Sequence, residues 1–214
     1  MDNILEQLDD IPWASLTHAY GAASDVPELL LDLMSDDGNT RDEAQYELFG
    51  NIWHQGTIYE ATIYAVPFLR ELLIMPDLRE RDMVLLLFAS IAEGRGYFEV
   101  HASDFSGEAV WRKILAEQGT SLEAKLEQER NIVTAVRHEV AQGLHLLIPA
   151  LQAEEAEIRG TAASALQFYP AEKHRTMEPL KTALEVELDD EVREYMRKSL
   201  NVLSAEPIEQ LALF

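Results

Sequence analysis

The chain contains no cysteine, and this absence excludes two classes of site. A disulfide framework requires paired cysteines, and a thiolate metal centre requires at least one. Neither can form in this protein.

Basic residues are also scarce. The sequence has 17 Lys and Arg against 39 Asp and Glu, a formal net charge of −22. Such a charge repels phosphate backbones and anionic lipids and attracts basic surfaces. It predicts a basic protein partner and no direct binding of nucleic acid or membranes. Solubility alone is an alternative explanation of the same charge.

Long hydrophobic runs are absent. The longest apolar stretch, residues 83–92, is interrupted by Ser90 and is too short to span a bilayer. Residues 1–12 carry acidic side chains where a signal peptide needs basic ones. These features predict a cytoplasmic protein. With 47% apolar residues, we expect a single domain over residues 1–206, followed by a tail at 207–214.

One spacing recurs along the chain: a proline in an apolar run, then an arginine, then apolar or small residues three and seven positions later. The copies are Pro27 with Arg41, Ala44 and Leu48; Pro67 with Arg81, Val84 and Phe88; Pro149 with Arg159, Ala162 and Leu166; and Pro179 with Arg193, Met196 and Leu200. Self-similarity on this scale predicts a solenoid of stacked helix pairs.

Local signals favour helices throughout. Capping pairs predict helix starts at Asp25, Thr40 and Thr57, each three residues before a glutamate. We expect helices at 13–21 and at 138–152, a polar turn at 35–40, and a degenerate helix pair at 108–136 that breaks at Gly119 and Thr120. Residues 94–107 contain three glycines and no helical period, and they predict a long loop.

The proline, the arginine, the neighbouring aspartates (Asp42, Asp82 and Asp190) and the apolar spacing together resemble HEAT repeats. The resemblance covers about residues 13–204, and residues 94–135 depart from it. It implies an all-α, right-handed α–α superhelix of about five helix pairs, whose second helices line a concave binding surface. It also implies that Arg41, Arg81, Arg159 and Arg193 are structural and form a ladder with aspartates.

Residues 51–73 also resemble a stretch of bacterial HEAT-like proteins, some of which are encoded beside toxins as immunity proteins. The first functional hypothesis is therefore a non-enzymatic protein-binding module that sequesters a basic protein. The candidate contact residues are acidic or polar positions on the second helices and the long loop: Glu43, Glu47, His54, Glu93, Tyr97, Glu99, His101 and Asp104.

Few residues suggest chemistry. His138 and His145 lie near one helix face but too far apart to bind one ion without a third ligand, so we predict no metal site and no cofactor. The WHQGT segment at 53–57 has two interpretations, a recognition feature or helix termination and capping, and the second is favoured because it explains the glycine and the threonine. No nucleophile or acid–base pair is singled out, although a HEAT-like lyase stays an alternative.

The C-terminal residues QLALF supply another alternative. Gln210, Leu211, Leu213 and Phe214 resemble the peptide with which bacterial replication and repair proteins dock on the sliding clamp. On this hypothesis the protein is a clamp-tethered accessory factor in DNA maintenance. A tail that folds back over the last repeat is the simpler explanation.

Overall fold

The computed structural model describes residues 4–205, apart from the side chains of residues 4–6 and 105. This part of the chain holds eleven α-helices and two small antiparallel hairpins. The all-α prediction is confirmed at this level. No helix in the described range is both long and apolar enough to cross a bilayer.

The contacts divide the chain into two compact units, Met1–Leu146 and Leu147–Phe214, and each is described by itself. The helix α8 (Leu144–Ala150) contains the boundary. That residues 1–206 form one domain stays a prediction.

The first unit is built on helix pairs. Its helices are α1 Val26–Asp32, α2 Gly38–Asn51, α3 Glu60–Ile74, α4 Arg81–Ala92, α5 Tyr97–His101, α6 Phe105–Glu117 and α7 Leu122–Gln142. α1 packs on α2, α3 packs on α4, and α7 packs along α3. Its strands are β1 Thr17–His18, β2 Gly21–Ala22, β3 Trp53–His54 and β4 Thr57–Ile58, preceded by 3₁₀ segments at Ile4–Asp10 and Trp13–Ser15.

The second unit contains three long elements, α9 Ala156–Leu166, α10 Lys173–Val186 and α11 Asp190–Ser204, with a 3₁₀ turn at Pro170–Glu172. α9 and α11 make close contact because alanines 162, 163 and 165 are fully buried and small. The buried Ser199 hydroxyl donates to the Ala163 carbonyl at 2.7 Å.

The prediction of a helix at 13–21 is wrong. The segment forms a 3₁₀ turn and the β1–β2 hairpin, in which Thr17 lies opposite Ala22. Gly21 has a φ of +126°, outside the helical region. The buried His18 also accepts a hydrogen bond from the Tyr20 amide, which fixes the turn.

The predicted helix starts need correction too. α2 begins at Gly38 under an Asp37 cap that binds the Thr40 amide, so the expected turn at 35–40 is shorter. Thr57 belongs to β4, and α3 begins at Glu60. Asp25 precedes α1 but makes no cap bond; its carboxylate binds His18 and Asn51 instead.

Residues 94–107 are not one long loop, because they contain α5 and the start of α6. Asp104 caps α6 by accepting the Gly107 amide at 2.7 Å. The predicted helix at 138–152 is interrupted at Gly143, where a Cβ would lie 2.6 Å from the Phe88 ring. The predicted break at Gly119 is confirmed, with a φ of +77°.

The repeated prolines fall inside helices in three copies, at Pro67, Pro149 and Pro179. Pro27 instead occupies the first turn of α1, where its missing N–H has no helical partner to lose.

The four repeated arginines all bind backbone carbonyls of the chain just before their own helix. Carbonyls left unbonded at the end of a helix need such donors. The acceptors are Ser35 and Asp36 for Arg41, Leu73 and Met75 for Arg81, Ala153 and Glu154 for Arg159, and Leu184 and Glu187 for Arg193.

Two of these arginines also bind a glutamate of the next interhelix turn. Arg41 holds Glu80 through Nε and Nη2 at 3.0 and 2.7 Å. Arg159 holds Glu187 in the same way, at 2.6 and 2.9 Å. The expectation that these arginines pair with aspartates is therefore wrong. They form bidentate pairs with glutamates, and these pairs link consecutive turns.

The Glu187 pair predicts how stability depends on pH. The hydrogen bond from Arg159 lowers the pKa of Glu187 from 4.5 to about 2, against the opposing effect of its burial. Since the folded pKa lies below the unfolded one, the stabilisation is present above about pH 5 and disappears as pH falls toward 2. Glu187→Gln should cost roughly 2–3 kcal/mol at neutral pH.

Urea unfolding followed by circular dichroism checks this, with the exposed Glu185→Gln on α10 as the control. The difference in unfolding free energy between Glu187→Gln and the native chain should shrink as pH falls through 4. An equal difference at pH 7 and pH 3 would contradict the assignment.

Candidate functional site

The WHQGT segment forms the β3–β4 hairpin. Trp53 pairs with Ile58, and His54 pairs with Thr57. The turn residues Gln55 and Gly56 have φ values of +50° and +89°, and two positive φ values are typical of a type I′ hairpin turn. The interpretation as helix termination and capping is therefore wrong.

Arg95 joins this hairpin to the segment that was expected to be a loop. Its amide donates to the Gly56 carbonyl at 3.0 Å, and its carbonyl accepts the Ile58 amide at 3.0 Å. Only glycine fits at position 94, because a Cβ there would collide with the Ile58 side chain. The two segments that stand out in the sequence, 53–57 and 94–107, are thus neighbours in the first unit.

A carboxylate of α7 holds α5 in place. Glu129 accepts the Phe98 amide at 2.9 Å and the Glu99 amide at 3.3 Å, at the start of α5. A side chain at Gly96 would displace it. Burial raises the pKa of Glu129, although the amide hydrogen bonds act in the opposite direction.

Aromatic rings pack beside this carboxylate. Tyr97 lies 4.2 Å from the His101 ring and 5.6 Å from the Trp111 ring. Phe98 meets Trp111 edge to face at 5.1 Å. At these separations the rings fill the space between them. This cluster packs α5 against α6.

The exposed face of α2 carries a second group of candidate residues. Glu43, Tyr46, Glu47 and Gly50 follow one another at intervals that place them on one side of a helix. Glu43 and Glu47 are exposed and have no ion-pair partner among the described residues. Tyr46 is 77% exposed.

Tyr20 and His54 extend this face. The Tyr20 ring, 71% exposed, lies over Gly50 and meets the His54 ring at 5.5 Å. His54 Nδ1 lies 2.9 Å from the Gly50 carbonyl. Since a carbonyl only accepts, Nδ1 carries the proton. We call Tyr20, Glu43, Tyr46, Glu47 and His54 the α2 face.

The structure therefore separates the predicted contact residues into two groups. Glu43, Glu47 and His54 lie on the α2 face. The others lie at the end of α4 and around α5: Glu93, Tyr97, Glu99, His101 and Asp104. Within the second group, Asp104 is engaged as a helix cap, and its pKa is lowered by the Gly107 amide.

Tyr20 and Tyr46 are not among the contact residues expected from the sequence. The signal for Tyr46 was present, because Ala44 and Leu48 face inward in the repeat and Tyr46 falls between them. Tyr20 reaches the face only because residues 17–22 form a hairpin.

No group of three potential ligands able to hold a metal ion occurs among the described residues. His138 and His145 are both exposed. The residues named for sliding-clamp docking, Gln210, Leu211, Leu213 and Phe214, lie outside the described range.

Glu129→Ala should release the start of α5. With its acceptor gone, the Phe98 amide should exchange with solvent about tenfold faster or more, which hydrogen exchange by NMR measures. Glu127→Ala, two residues away and exposed, is the matched control and should leave Phe98 protected. Unchanged protection in Glu129→Ala would show that α5 does not depend on this carboxylate.

No protein-family model matches the chain, and no curated protein matches it. The resemblance to HEAT repeats remains a prediction that rests on the residues of this sequence.

Proposed function

We propose that the chain is a non-enzymatic protein-binding module that sequesters a basic protein, and that a toxin is the most specific form of that partner. In this proposal the helix pairs stack as a right-handed HEAT-like superhelix of about five pairs in a cytoplasmic protein. The recurring link from an arginine to the next turn supports such stacking.

The α2 face is the observation that carries the proposal. It combines two exposed tyrosines with two carboxylates that lack ion-pair partners among the described residues. Tyrosine is enriched among the residues that dominate binding energies at interfaces. The flat face of a tyrosine ring also attracts cations, and an arginine side chain stacks on it. A net charge of −22 accelerates the encounter with a basic protein.

The lyase alternative gains no support from the buried groups in the described part of the chain. The one buried histidine there, His18, has both ring nitrogens bonded, to Asp25 and to the Tyr20 amide. The most deeply buried carboxylate there, Glu187, is held by Arg159, and the partly buried Glu129 accepts the Phe98 amide. Each of these three groups is therefore engaged within the fold.

Charge reversal tests the proposal. The wild-type chain, immobilised, should capture basic proteins from a lysate of its source cells, and mass spectrometry identifies them. Glu43→Lys with Glu47→Lys should reduce capture about tenfold, and so should raising the salt from about 50 to about 300 mM. Tyr46→Ala should weaken capture about fivefold without any change of charge.

Glu185→Lys with Glu194→Lys is the matched control, because it reverses two exposed charges on helices of the second unit. It should retain most of the capture. An equal loss of capture in the control would show that the effect comes from net charge and not from the α2 face. If no basic protein is captured, the proposal is wrong.

A further inference from the structure

A cavity of about 410 Å³ opens between two interhelix turns of the first unit. One wall is the turn from α1 to α2, and the other is the turn from α3 to α4. None of the contact residues expected from the sequence lines it. Its size falls within the range of ligand pockets in proteins.

The inner part of the cavity is apolar and adaptable. Leu33 is buried at its base, while Met34, Met75 and Leu78 are partly exposed to it. Methionine side chains adjust to ligands of different shape because they are unbranched and polarisable.

The rim of the cavity is charged and unbalanced. Arg79 Nη1 pairs with Asp36 Oδ1 at 2.8 Å. Asp77 has no ion-pair partner among the described residues, so the lining keeps one uncompensated negative charge. An anionic ligand would be repelled, and a cationic ligand would neutralise this charge.

The two walls are tied to each other by Arg41. Its guanidinium donates to the Ser35 and Asp36 carbonyls of the first turn and to the Glu80 carboxylate of the second. The cavity is therefore held in shape before a ligand arrives, which lowers the entropic cost of binding.

We propose that this cavity receives an apolar side chain together with an adjacent arginine or lysine of the basic partner protein. The inference rests on the proposed function and adds to it the chemistry that is recognised. The apolar side chain contacts Met34, Met75 and Leu78, and the cation binds Asp77. The net charge of −22 attracts a basic protein to this surface.

The methionines report on the cavity directly. The chain has six methionines, so methyl-¹³C labelling gives few NMR signals. The probe is the dipeptide N-acetyl-leucyl-arginine amide, and its neutral counterpart contains citrulline in place of arginine. The arginine probe should shift the Met34 and Met75 signals saturably and leave Met177 and Met196, in the second unit, unchanged.

Asp77→Asn should lower the affinity for the arginine probe about threefold, to that of the citrulline probe. Asp42→Asn, an exposed change on α2, is the matched control and should leave the affinity unchanged. Unmoved Met34 and Met75 signals, equal binding of both probes, or an equal effect of Asp42→Asn would each overturn the inference.

These outcomes are separable from those of the charge-reversal experiment. If the α2-face variants lose capture but the dipeptide gives no response, the proposed function is supported and the role of the cavity is refuted. If the dipeptide response is specific but capture by the α2-face variants is unaffected, the role of the α2 face is refuted instead.

Discussion

The fold depends on one interaction that occurs in both units: an arginine at the start of a second helix binds the turn before it and the turn after it. Arg41 and Arg159 each satisfy carbonyls left over by the preceding helix and hold a glutamate of the next turn. Burying these charges is tolerable only because nearly every donor has an acceptor. Lysine, with a single point charge, cannot reproduce the planar fork.

Because of this arrangement, the two sides of α2 have different roles. The side of the helix that bears Ala44 and Leu48 is buried, and Arg41 fixes the position of its first turn. The opposite side therefore needs to contribute nothing to stability and is available to present Tyr46 and its neighbouring carboxylates. The cavity between the turns depends on the same arginine, since Arg41 is bonded to both of its walls.

The sequence predicted most of the helices because the proline and arginine spacing and the apolar periodicity are local signals. It missed both hairpins. The β1–β2 hairpin depends on the positive φ of Gly21. The β3–β4 hairpin depends on positive φ values at Gln55 and Gly56 and on a pairing with the distant Arg95. It named aspartates as the acids of the ladder, because only the packed structure shows which turns meet. Glu80 and Glu187 are ordinary surface residues by pattern, so nothing in the sequence separates them from other glutamates.

The composition of the α2 face argues for a binding role over a purely solvating one. Glu43 and Glu47 are four residues apart on one helix, a spacing at which like charges repel and cost a few tenths of a kcal/mol. A surface selected for solubility alone would intersperse lysines at such positions and would not expose two tyrosines beside them. In the proposed function, a cationic partner would relieve the repulsion and cover the aromatic rings in a single contact. The features that stabilise the isolated chain least are therefore those that a basic partner would use most.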